Sequence, residues 1–233
     1  MILEPVNIVC PHCHLKSSHY MGMSGTIHEC ENYTDGKTDV ISGMISFDPV
    51  LIKCRQCSGF YLFESAVLQD EDETYDYEDL SFEERHPQIA DYKRALKIMK
   101  GLNKDEEYQL RILYWWKTND LIRFESGIGS KFMDTVNYLF KPFRNCKKLH
   151  RNYREYKSWL KDKEENLQQL LKLLNPEVNP DDIYYMLEIY RELGNFSKAR
   201  DFLNSISEGN NKSFKRTQNR LIRRRNPYVQ KIR

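Results

Sequence analysis

Cys10-Pro-His-Cys13 and Cys54-Arg-Gln-Cys57 are the residues of this chain whose types and spacing best suit a chemical task. A thiolate is a metal ligand, and a Cys-x-x-Cys turn presents two sulfurs on one side of a tight loop. Two such turns on facing loops supply four thiolates, enough to complete a tetrahedral zinc site. The expected ligands are Cys10, Cys13, Cys54 and Cys57, and the expected cofactor is a structural Zn2+. Four thiolates close the coordination sphere and leave no position for water or substrate, which points to structure and away from catalysis. Forty residues separate Cys13 from Cys54, against about 15–20 in the compact four-cysteine pattern. A long β-hairpin insertion would absorb the excess. Ser58-Gly59 follows the second pair, near the Gly often found after a zinc knuckle, whereas His14 follows the first. His12, His14, His28 and Cys30 are further candidate ligands by type.

A redox role is the rival chemistry for the first pair. Cys10-Pro-His-Cys13 is similar to the active-site tetrapeptide of one class of thioredoxin-fold disulfide oxidants, with all four residues identical. That resemblance implies a Cys10 of depressed pKa that attacks disulfides, placed after a strand and at the start of a helix. Here nine residues precede the motif, and residues 14–29, with Gly22 and Gly25, make a poor helix. Other catalytic signatures fail. No His-Glu-x-x-His occurs, and the Cys-Pro order is wrong for a zinc deaminase. Gly127-Ile-Gly-Ser-Lys131 lacks the spacing and the end of a phosphate loop.

The elements around the cysteines read as β-rich over 1–64. Residues 6–9 lead into the first pair, 39–47 and 50–54 are strand candidates, and 59–63 return after the second pair. Residues 69–84 hold nine acids and no base, the composition of a solvated linker. The domain boundary is therefore placed at 65–86. After Pro87 the spacing becomes helical. Ile89, Tyr92, Leu96 and Met99 share one face. Residues 105–119 follow with acids in the first turn, and 131–140 resume the helical pattern until Pro142. Cys146, Tyr153, Leu160, Leu167 and Leu174 recur every seven residues, with Leu149, Tyr156 and Leu170 as companions and Lys163 breaking the seam. That pattern fits either a coiled-coil homodimer through 147–174 or a long helix packed inside its own domain, and the second is favoured. Cys146, at an apolar position, reads as a core residue.

Residues 183–206 form two short amphipathic helices around Gly194. Tyr190, Gly194, Ala199 and Leu203 fall where the tetratricopeptide repeat has its characteristic residues, so the stretch resembles one such unit. Taken with the Cys pairs and the Trp115-Trp116…Asn119-Asp120 stretch, the chain resembles bacterial proteins that join an N-terminal zinc ribbon to a helical, repeat-like region. The expected fold is α+β: a zinc-ribbon-like domain over 1–64, an acidic linker over 65–86, an all-α domain over 87–208 with its hairpin at 183–206, and a basic tail over 209–233.

That tail carries nine of the 36 basic residues and no acid. The remaining 27 face all 34 acids, so residues 1–208 have a net charge of −7. Lys215, Arg216, Arg223, Arg224 and Arg225 are the tail's candidate phosphate contacts. An acidic body disfavours nucleic acid, which stays the alternative partner. No basic and apolar leader opens the chain and no run of 18 apolar residues occurs, so the expectation is a soluble, cytoplasmic protein without a membrane span. Helical hairpins create grooves for partner segments. The sequence thus predicts a non-enzymatic, zinc-binding protein-interaction module.

Overall fold

Two antiparallel hairpins carry the cysteine pairs. In the first, β1 (Leu3–Val9) pairs with β2 (Lys16–Gly22), from Leu3 opposite Gly22 to Val9 opposite Lys16. β3 (Ile27–Asn32) and β4 (Thr38–Gly43) form a second sheet. In the other cysteine hairpin, β5 (Leu51–Lys53) pairs with β6 (Phe60–Leu62), with Lys53 opposite Phe60. Helix α1 (Phe63–Ala66) follows directly, and the short β7 (Glu78–Asp79) adds to β2 in parallel. Then come α2 (Ile89–Ile98), α3 (Lys104–Arg123), α4 (Lys147–Leu173), α5 (Asp182–Glu192), α6 (Phe196–Ser205) and α7 (Lys212–Arg223). The structure, a computed structural model, describes residues 3–22, 27–43, 50–67, 78–81, 84, 86–123, 147–207 and 212–232. The expected helix at 131–140, Cys146 and the centre of the acidic block lie outside them. Strands followed by helices make the described chain α+β.

Contacts divide the chain into two units: residues 1–30 with 40–114, and residues 31–39 with 115–233. In the first, Ile8, Cys10, Ile52, Cys54, Tyr61, Phe63, Ala66 and Leu80 form one buried cluster. Helix α2 belongs to this unit. Lys53 Nζ donates to Asp91 at 2.8 Å, and the Arg94 guanidinium lies 5.8 Å from the Phe60 ring centroid. Asp91 also accepts from the Gln88 backbone N–H and so caps the helix start. The sequence places 78–84 in a linker. Instead Leu80 is buried, its N–H donates to the Ser18 carbonyl, and the Ser18 hydroxyl donates to Asp79. Glu84 is buried too and accepts from the Ser81 and Arg55 backbone N–H groups. A charge-rich composition is overridden here because each of these carboxylates has a donor.

The second unit encloses a polar network. Glu188 and Arg191 are fully buried and paired on one turn of α5. Glu188 also accepts from the Thr34 hydroxyl at 2.6 Å and from Gln218 Nε2 at 2.7 Å. Arg191 donates onward to the carbonyls of Asn226 and Tyr228. Lys163, the residue that breaks the heptad seam, is buried and pairs with Glu192 at 2.5 Å. Glu192 accepts from the Trp115 indole N–H and from Asn119 as well. Leu167, Leu170 and Leu174 are buried in the single chain, so this half of the seam is unavailable to a second copy.

The basic segment expected as a tail is folded into this unit. Thr217, Gln218, Leu221 and Ile222 form the buried side of α7. Beyond it, Gln230 O accepts from Thr34 N–H and Ile232 N–H donates to Asn32 O, which extends the 31–39 hairpin by a third segment. Lys212, Arg216, Arg220 and Arg223 are exposed along α7, and its buried positions follow helical spacing.

Removing one partner of a buried ion pair leaves the other charge uncompensated. Arg191→Met should therefore lower the stability of this unit by about 3–5 kcal/mol in urea unfolding. The double variant Glu188→Gln/Arg191→Met should recover part of that loss, because no buried charge then remains alone.

Candidate metal centre

The two cysteine turns are built alike, hydrogen bond for hydrogen bond. The strand registers leave loops 10–15 and 54–59 between them. In the first, His14 N–H donates to Cys10 O at 2.9 Å and Cys10 N–H donates to Leu15 O at 2.9 Å. In the second, Ser58 N–H donates to Cys54 O and Cys54 N–H to Gly59 O, both at 2.9 Å. The residue after each second cysteine is left-handed: His14 has φ 59° and Ser58 φ 56°. This is the backbone that the usual Gly of a zinc knuckle adopts without strain. His14 departs from the familiar sequence while keeping its geometry, at a cost of about 1–2 kcal/mol for an L-residue in that region.

The turns bring the four thiols together. Cys10 Sγ lies 3.7 Å from Cys57 Sγ, and Cys13 Sγ lies 3.6 Å from Cys54 Sγ. All four sulfurs lie within 4.8 Å of one another. None is in a disulfide. Four sulfurs on a tetrahedron around zinc, each at about 2.3 Å, would stand about 3.8 Å apart. The donor set and its spacing fit that metal. Each close sulfur pair joins one turn to the other, so neither hairpin holds the site alone.

Burial sets the thiol chemistry. Cys10 and Cys54 are buried and Cys57 is exposed. Burial pushes the Cys54 thiol up to about 12 and raises Cys10 as well. Cys57 is lowered to about 7, chiefly because Gly59 N–H donates to its sulfur at 3.4 Å. A cation at the centre would supply what the buried sulfurs lack, a charge to stabilise their ionised form.

Of the other candidate ligands, His12 Nε2 donates to Phe60 O at 3.0 Å, which fixes its ring across the two turns. His14 and Cys30 are exposed, and neither belongs to the sulfur cluster. The side chain of His28 lies outside the described residues. Gly59 is required by close approach. A Cβ there would stand 2.4 Å from His12 Cδ2 and 3.2 Å from Cys57 Sγ. Sequence reasoning noted Gly59 but missed its contact with His12, a residue 47 positions away.

The redox reading needs Cys10 at a helix start with a depressed pKa. Cys10 instead follows β1, the turn after it leads into β2, and its thiol is raised by burial. The nucleic-acid candidates sit elsewhere. Lys215, Arg216 and Arg223 lie on α7, and Arg224 and Arg225 follow it, with Arg225 left-handed at φ 49°. Lys215 Nζ donates to Ile206 O at 2.6 Å, while Arg216, Arg223, Arg224 and Arg225 are exposed. Among the described residues no helix is long and apolar enough to cross a membrane.

No protein-family model matches the chain, and neither a curated protein nor a solved structure is significantly similar to it.

Metal binding must strip protons from Cys10 and Cys54, so affinity should rise with pH. Calorimetry in buffers of different ionisation enthalpy should show at least two protons released per metal at pH 7. Release near zero would contradict the assignment. Gly59→Ala forces His12 or the Cys57 sulfur to move, and should weaken metal affinity about tenfold or more in a chelator competition. His14→Gly, which relieves a left-handed residue, should keep full affinity.

Proposed function

We propose that this protein is a non-enzymatic binding module whose cysteine unit is folded by a structural zinc ion. Cys10, Cys13, Cys54 and Cys57 would hold the metal, and the metal would supply a cross-link between two hairpins together with the charge that buried thiolates need. The observation that carries this reading is the convergence of all four sulfurs from two matching turns. A set of four thiolates is coordinatively complete, which favours a structural role over a catalytic one.

The helical unit supports the protein-interaction half of the reading. Helices α5 and α6 form a hairpin around Gly194, whose φ is +76°, and buried Ala199 lets them approach closely. Leu187, Leu203, Ile206 and Ile222 complete that core, and Tyr190 stacks on Phe202 with ring centroids 5.5 Å apart. This packing supports the reading, because helical hairpins present surfaces to partner segments.

One observation favours a second reading, nucleic-acid binding. Lys212, Arg216, Arg220 and Arg223 are exposed at helical spacing along α7. Arg200, Lys215 and Arg223 also line a groove of about 650 Å³, with no carboxylate among the described residues of its lining. Uncompensated cations on one face attract phosphate.

The metal reading predicts close to one zinc per chain in protein purified without chelator. Less than about 0.3 per chain would sink it, because a structural site stays occupied. Cys54→Ser should lose the metal and the near-UV signal of the cysteine unit together. For the second reading, deleting 209–233 is a poor test, since it removes buried Leu221 and Ile222. Substituting Arg216, Arg220 and Arg223 with Gln is cleaner. Each change should lower the slope of log affinity against log salt by about one. No gel shift at low salt would remove that reading.

A further inference from the structure

A cavity of about 480 Å³ opens in the helical unit. Its lining has an unusual chemistry. Tyr33, Tyr184, Tyr185 and Phe214 contribute four aromatic rings, and among the described residues of the lining the one charged side chain is the carboxylate of Asp181. Tyr184 and Phe214 meet edge to face, with centroids 5.3 Å apart and planes at 80°, and so form a corner of two differently oriented rings. Tyr33 is buried and held by its hydroxyl, which donates to Glu31 at 2.7 Å.

Tyr185 is positioned by backbone. A Cβ on Gly36 would stand 2.7 Å from Tyr185 Cε1, and Gly36 has φ +80°. Only glycine lets the 31–39 turn close on that ring without strain. The other edge of Tyr185 meets Trp115, with centroids 6.3 Å apart. Tyr33 and Tyr185 are therefore held in place by the fold itself.

Carboxylates surround the Tyr185 hydroxyl. Tyr185 ionises with more difficulty than an ordinary tyrosine, first because of burial and then because of Asp35, Asp181 and Asp182 around it. Asp35 and Asp182 are spoken for. Asp35 accepts from Asn119 Nδ2 at 2.8 Å, and Asp182 accepts from Asn175 N–H at 2.7 Å and Asn179 Nδ2 at 2.8 Å. Asp181 makes no side-chain capping bond to α5 and is exposed at the cavity. The positive end of a helix ordinarily favours an anion, but α5 begins here with two carboxylates of its own.

Four aromatic rings beside a carboxylate match one class of ligand, a compact organic cation. We propose that this cavity binds an alkylammonium head group, held by the rings of Tyr33, Tyr184, Tyr185 and Phe214 and by the charge of Asp181. The head group can come from a methylated lysine side chain of a partner or from a free quaternary amine. The site lies wholly in the helical unit and its occupancy does not depend on the metal centre.

Saturation-transfer NMR on the full chain tests it with choline and with its neutral isostere 3,3-dimethyl-1-butanol. Choline should bind saturably and about tenfold tighter than the isostere, since the two differ in charge and scarcely in shape. Phe214→Leu keeps an apolar side chain and removes a ring. It should weaken choline about fivefold and leave the isostere unchanged. Asp181→Asn, at an exposed position, should weaken choline about threefold with no loss of thermal stability. A trimethyllysine peptide that binds tighter than choline identifies a partner side chain as the source, and the reverse order identifies a free amine. Equal binding of choline and its isostere overturns the proposal, as does the absence of saturable choline binding, tighter binding of acetate, or choline affinity unmoved in both variants.

Discussion

Four sulfur atoms within 4.8 Å of one another are a constraint that neither cysteine hairpin meets alone. Each turn delivers two sulfurs by the same pair of backbone hydrogen bonds and the same left-handed residue. The close contacts then run between turns, Cys10 to Cys57 and Cys13 to Cys54. Much of the cysteine unit follows from this arrangement. Cys10 and Cys54 share their buried cluster with Ile8, Ile52, Tyr61 and Phe63, so the sulfur site is continuous with the apolar core. Glu84 is bonded to the backbone of Arg55, inside the second turn, and Gly59 leaves room for His12 beside Cys57. A small sheet with short strands has little core of its own, and a metal cross-link is the usual remedy.

The helical unit meets a different constraint. Its interior holds charges, and each is matched. Glu188, Arg191, Lys163 and Glu192 come from α4 and α5, and their partners come from the 31–39 turn, from Trp115 and Asn119 on α3, from Gln218 on α7 and from the chain after α7. Such a network contributes less to net stability than to specifying which segments must meet, because a segment out of place leaves a buried charge unpaired. It explains why a basic C-terminal segment and a short polar turn are integral to a helical core.

The cysteine pairs, the strands beside them and most helices were legible because their signals are local: Cys-x-x-Cys spacing, a 3.6-residue period, and Gly194 between two amphipathic runs. The misread segments are those where a tertiary partner overrides composition. Residues 78–84 look like a solvated linker until Ser18, Ser81 and Arg55 supply donors for Asp79 and Glu84. Lys163 looks like a flaw in a heptad until Glu192 is placed opposite it. Two local signals went unread. Asp35-Gly36 is a strong hairpin dipeptide between β3 and β4. Phe214, Thr217, Leu221 and Ile222 mark the apolar side of α7 beneath its arginines. Tyr33, the Tyr184-Tyr185 pair and Phe214 are too far apart in sequence for any pattern to join them.

The cysteine geometry calls for a metal held by sulfur alone. X-ray absorption at the zinc edge, on the full chain purified without chelator, reads the donor atoms directly. The structure predicts a single shell of four sulfurs at about 2.3 Å and no light-atom ligand. A shell containing nitrogen or oxygen donors, or a chain that carries no zinc to absorb, would contradict it.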